Sequence, residues 1–170
     1  MHEDLLAQAT HLASVDRSRP SQVNLRRAVS AAYYALFHAL TDSACRSLLG
    51  ARHEAVGYRN VLARAFTHTA MREACRSFSG GTLPTAIKNG LPSTAAIPPE
   101  VRTCATEFID LQDERHRADY DRSAKFRRSD VLMMIDNAAL AIETFEALPS
   151  TLDKEFFLAC LLAWPTLSKR

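Results

Sequence analysis

Residues 25–40 read LRRAVSAAYYALFHAL. Leu25, Val29, Ala32, Leu36 and Leu40 recur at three- and four-residue steps, with Tyr33 and Phe37 beside them. That is the period of one face of an α-helix and not the alternation of a strand. The pattern continues over roughly 21–49 as the longest and most apolar run of the chain, so this helix is expected at the centre of the fold.

Working outward, residues 3–15 form a further helical pattern with acids in its first turn, which suits the positive end of a helix dipole. Ser18, Pro20 and Ser21 interrupt the chain before the long helix. Beyond it the spacing predicts helices over 54–77, over 99–122 with Pro-Glu in the first turn, and over 128–147. A short helix over 150–164 follows, with Ser150 as cap and Asp153 three residues on. No segment alternates as a strand bounded by turn signals. Residues 78–99, FSGGTLPTAIKNGLPSTAAIPP, hold three of the five glycines and four of the seven prolines, so no regular helix runs through them. The expected fold is all-α: an up-and-down bundle of about five to six helices in a single domain, with 78–99 as one long mobile loop.

The chain has 170 residues, 47% hydrophobic and 24% charged, enough to bury a core without disulfide or metal staples. No stretch approaches the roughly 20 apolar residues of a membrane span and no basic-then-apolar leader opens the chain, which predicts a cytoplasmic protein with no membrane association. Cys45, Cys75, Cys104 and Cys160 are scattered without a CxxC pair or a histidine at zinc-ligand spacing, so they are read as reduced, mostly buried thiols. No metal or cofactor is expected: phosphate-loop, GxSxG, HExxH, EF-hand and paired Glu-x-x-His signatures are all missing. Net charge is only +2, yet residues 17–76 carry ten Arg/Lys against three Asp/Glu. A basic body of this kind permits a nucleic-acid surface.

Two groups of polar residues stand out. Arg27, Tyr34 and His38, at i, i+7 and i+11, share one face of the long helix as a polar strip. The bland account makes Tyr34 and His38 amphipathic residues at the core edge and Arg26 and Arg27 a solvated pair. Residues 113–121, DERHRADYD, crowd acids, arginines, a histidine and a tyrosine together. Arg115, Ala118, Asp119 and Arg122 fall on one side of that helix, while Asp113, His116 and Tyr120 share the neighbouring side. Surface ion pairs such as Asp113–Arg117 explain part of this at a few tenths of a kcal/mol each. Arg, Tyr and His together suit phosphate binding, base stacking or proton transfer.

LRRAVSAAYYALFHAL and RHRADYD at 115–121 together resemble the HEPN superfamily of small prokaryotic helical bundles, in particular the group with an "RA..AYYA.FHA" helix before an "R..ADYD" helix. The resemblance covers about 25 residues. It implies a four- or five-helix bundle, often dimeric, acting as a metal-independent endoribonuclease, as the toxin partner of a small nucleotidyltransferase, or as a non-catalytic binder of RNA or nucleotide. Active members carry an Arg, a polar residue, and a His with four to six residues between it and the Arg. Arg115 and His116 match the first two; at the third this chain has Tyr120, Asp121 and Arg122 and no histidine. A phenol with a reference pKa near 10 is a poor base at neutral pH. The resemblance therefore implies an RNA- or nucleotide-binding HEPN-like domain in a defence or toxin–antitoxin setting, with Arg27, Tyr34, His38, Arg115, Asp119 and Tyr120 as ligand-binding residues. The alternatives are a ribonuclease using Arg115, His116 and Tyr120, and a protein-interaction module using the apolar C-terminal helix around Phe156, Phe157, Leu161, Leu162 and Trp164.

Overall fold

A computed structural model describes residues 1–16 and 18–168. Among these residues the regular structure is entirely helical: α1 (His2–Ser14), α2 (Gln22–Leu49), α3 (Val56–Leu62), α4 (His68–Ser79), α5 (Thr85–Lys88), α6 (Pro99–Tyr120), α7 (Arg128–Ala147) and α8 (Leu152–Leu167). No described helix is long and apolar enough to cross a membrane.

Eight helices replace the expected five to six for two reasons. The segment 54–77 is not one helix. Two short 3-10 turns flank α3, and the backbone extends at Phe66 and Thr67 before α4. Thr67 then caps α4, its Oγ1 accepting from the Ala70 amide at 3.3 Å. The 78–99 loop also contains the single turn α5. At the C-terminal helix the cap is Thr151 and not Ser150: Thr151 Oγ1 accepts from the Lys154 amide, while Ser150 Oγ donates to Glu155. Helix α6 starts at Pro99 as expected and stops at Tyr120, two residues early.

The chain forms two compact units, the first Met1–Ala39 with Glu107–Glu143, the second Leu40–Thr106 with the chain from Thr144 onward. In the first, Leu25, Val29, Tyr33 and Leu36 of α2 are buried with Phe108 and Leu111 of α6 and Val131 and Ile135 of α7. Tyr33 meets Phe108 at 5.5 Å between ring centroids. The entry to α2 is tied down by polar groups. Asp16 Oδ2 accepts from the Ser21 amide and from Asn24, and the Gln22 side chain both donates to and accepts from the backbone of Phe126 at 2.9 Å. Arg128 donates to the carbonyls of Ala13 and Asp16.

In the second unit, α4 buries Met71, Ala74, Cys75 and Phe78, and α8 buries Phe157, Leu158, Leu161 and Trp164. Phe78 stands 4.9 Å from Phe157 and 6.3 Å from Trp164, so the apolar face of the terminal helix is covered within its own unit. Gly50, at φ 75°, ends α2 in the left-handed conformation open to glycine, and the buried Arg59 donates to its carbonyl at 2.7 Å. All four cysteines are free and buried, and burial pushes the Cys160 thiol up to about 12. The loop 78–99 lies wholly inside this unit and does not divide the chain.

Candidate functional site

The C-terminal half of α6 lies against one ridge of α2 within the first unit, and the contacts step along both helices. Arg26 Nη1 donates to the Ala118 carbonyl at 2.6 Å, Ser30 Oγ to Asp119 Oδ1 at 2.9 Å, and Arg115 Nη2 to the Tyr34 hydroxyl at 3.2 Å. His38, one further step along, stacks on Tyr34 with ring centroids 6.3 Å apart. Arg26, Ser30, Tyr34 and His38 are separated by four residues each, which is the spacing that aligns side chains along a helix. This ridge, and not the strip that includes Arg27, is the polar seam. Arg27 is exposed and outside it.

Arg115 is the centre of the cluster. Its guanidinium lies over the rings of Tyr33 and Tyr34, at 5.9 and 5.6 Å, and its Nε is 2.8 Å from Asp119 Oδ2. The Nε–H is not aimed at that oxygen, so the contact is an ion pair without a directed hydrogen bond. With side-chain exposures of 19% for Arg115 and 33% for Asp119, the pair is partly shielded from water. Two tyrosine faces, one carboxylate and one phenol thus hold the planar fork in a single orientation.

His116 and Tyr120 form a separate group. Their rings lie 4.7 Å apart, tilted by 46°, and both are exposed, Tyr120 at 66%. His116 is turned away from the Tyr34 contact by its place in the helical sequence, one residue and about 100° around from Arg115. His38 lies against Tyr34, whose hydroxyl accepts from Arg115, and its pKa is lowered by burial and then by the positive amino terminus.

The places of Arg26 and Ser30 in this seam are not among the sequence-derived candidates, although their four-residue spacing to Tyr34 is present in the chain. Arg26 is no solvated partner of Arg27. Its guanidinium also reaches the carbonyls of Asp121 and Ala124, at 2.8 and 2.7 Å, and lies over Phe126. Arg117 likewise pairs with Glu114 at 3.0 Å and lies over Phe126. Asp121 closes the turn after α6 by accepting from the Ser123 amide and hydroxyl, bonds that hold its pKa below the ordinary carboxylate value.

Two turns before Arg115, Glu107 is half-buried, and burial followed by the charge of Asp110 raises its pKa to about 7 from 4.5. A carboxyl whose folded pKa is raised binds more protons folded than unfolded between those values. Its contribution to stability is therefore present below pH 4.5 and is lost as pH rises through 7. After allowance for solvent screening, Glu107→Gln should stabilise the protein by about 1 kcal/mol above pH 7. Urea midpoints of wild type and variant should converge on acidification to pH 4.5; a constant offset across that range would remove the assignment.

Among the described residues, fold and cluster define an all-helical protein with an arginine clamped between tyrosines and a carboxylate, one of those tyrosines stacked on His38. No protein-family model, curated protein or solved structure matches the chain.

Proposed function

We propose that the chain is a HEPN-like domain that binds RNA or a nucleotide, with Arg115 receiving a phosphate. The observation that carries this reading is the clamped guanidinium: its orientation is set by Tyr33, Tyr34 and Asp119, and the Arg115 side chain as a whole is 19% exposed. A phosphate reaching it meets a pre-oriented fork and bears little of the entropy of ordering a long side chain. Exposed Tyr120 and His116 offer stacking faces on the same helix. Binding is favoured over cleavage because the family's distal histidine position holds Tyr120. The resemblance of residues 25–40 and 115–121 extends the reading to a cytoplasmic, homodimeric protein of a prokaryotic defence or toxin–antitoxin system, with a small nucleotidyltransferase as partner.

Wild type should bind labelled single-stranded RNA with an affinity that falls as salt rises, since phosphate contacts release counterions. Arg115→Ala should weaken binding about tenfold and flatten the logarithmic salt dependence by about 0.7, the share of one phosphate on a single strand. Fluorescence anisotropy over a salt series measures both. Equal binding by the folded variant, or no binding by wild type, would overturn the proposal.

An endoribonuclease is the second reading, and the stacking of His38 on Tyr34 favours it, because it places an imidazole against the tyrosine whose hydroxyl accepts from Arg115. The imidazole would take the ribose 2′-hydroxyl proton while Arg115 stabilises charge on the phosphate. RNA cleavage in EDTA that survives His116→Ala and is lost in both His38→Ala and Arg115→Ala would select this mechanism over simple binding.

A further inference from the structure

The second unit contains a cleft of about 380 Å³ between the 81–97 loop, the end of α4 and the first turns of α6 and α8. That volume is far more than an ordered water needs and falls within the range of small-ligand pockets. Phe78 and Phe156 form its aromatic wall, with Leu83 and Ile97 from the loop. Three charged side chains line it: Arg102, Lys88 and Asp153. None of the three forms an ion pair among the described residues.

The Arg102 guanidinium lies against the backbone of Gly81. Gly81 has φ +69°, and a Cβ built there would meet Arg102 Nη1 at 3.0 Å and Cζ at 3.1 Å. A side chain at position 81 would therefore push the guanidinium aside by a few tenths of an ångström and would strain a backbone conformation that suits glycine. Pro84, Pro92 and Pro98 stiffen the loop on the other side, which lowers the entropy lost when a ligand is enclosed.

We infer that this cleft binds a small organic anion with an apolar, flat body. Two cations against one carboxylate leave a single net positive charge, which selects a monoanion over a polyanion. The aromatic wall takes the body, the Arg102 fork takes a carboxylate, and Asp153 accepts from a donor on the ligand. The site is separate from Arg115 and does not depend on the RNA reading.

Phenylacetate, benzylamine and inorganic phosphate, titrated into the full chain and followed by amide NMR shifts, test the assignment. Phenylacetate should bind saturably, with shifts centred on Phe78, residues 81–83 and 95–97, Arg102, Asp153 and Phe156. Benzylamine and phosphate should bind at least about tenfold more weakly, reflecting loss of the charge-assisted contact or of the apolar body. Arg102→Gln, at an exposed helical position, should weaken phenylacetate about tenfold. Gly81→Ala, which removes no charge, should weaken it by displacing the guanidinium. Benzylamine binding as tightly as phenylacetate would mean an apolar void only; phosphate binding as tightly would mean loose surface cations. Either result, an unchanged affinity in Arg102→Gln, or no saturable shift with any probe, would overturn the inference.

Discussion

Phe157→Ala lowers the free energy of unfolding by about 3–5 kcal/mol, the cost of removing a fully buried phenyl ring from a packed site. Against the roughly 5–15 kcal/mol that holds a typical domain folded, this leaves a protein close to unfolding at ambient temperature. Phe157 is 0% exposed and is wedged between Phe78 at 4.9 Å and Phe145 at 5.8 Å, both edge-on. Truncation removes both ring contacts along with the buried area, and the stiff neighbouring helices can refill the gap only in part. Phe157→Leu keeps most of the volume and should cost less than half as much. Urea denaturation followed by far-ultraviolet circular dichroism gives both values. A loss below about 1 kcal/mol for the alanine variant would mean that α8 is not packed as described.

Arg26→Ala should cost about 2–4 kcal/mol, a large figure for an arginine at the edge of the solvent. The last carbonyls of a helix have no partner within it. At the end of α6 the Arg117 carbonyl is taken by the Asp121 amide, and the Ala118 carbonyl by Arg26 Nη1. Arg26 Nη2 meanwhile gathers the carbonyls of Asp121 and Ala124 from the following turn. One planar cation thus closes the helix, holds the turn and offsets the negative end of the dipole. Lysine cannot span these acceptors, so Arg26→Lys should recover less than half of the loss. Chemical denaturation measures the energies, and amide exchange should speed up selectively over residues 118–124. Uniform exchange with unchanged stability would assign the contacts to the surface and not to the fold.

The helical reading of 25–40 held because its buried positions, Leu25, Val29, Ala32, Leu36 and Leu40, repeat at the helical period. The break at Phe66–Thr67 was not legible. Neither residue is a glycine or proline and the apolar spacing runs on through it; the one local signal is Thr67, whose hydroxyl caps α4, and a single cap residue inside a continuous helical spacing does not mark a break by itself. The misplaced cap at Ser150 was a choice between adjacent Ser and Thr hydroxyls, which differ by where the first helical amide points and not by chemistry. In the candidate site, the pairing of Arg115 with Asp119 and of His116 with Tyr120 followed from four-residue spacing on one helix.

The sequence by itself determined the all-helical class, the long apolar α2 and the two polar groups on α2 and α6, because helical period and breaker residues are local properties. Only the tertiary structure decided which ridge of α2 faces α6. A side chain one residue away points about 100° aside, so Arg26 becomes a helix clamp while Arg27 stays in solvent. It also decided that the apolar face of α8 belongs to a core, and that Arg102 stands beside Gly81 at the wall of a cleft. These are meetings of residues far apart in the chain, and their geometry is set by how whole helices pack, which no local spacing encodes.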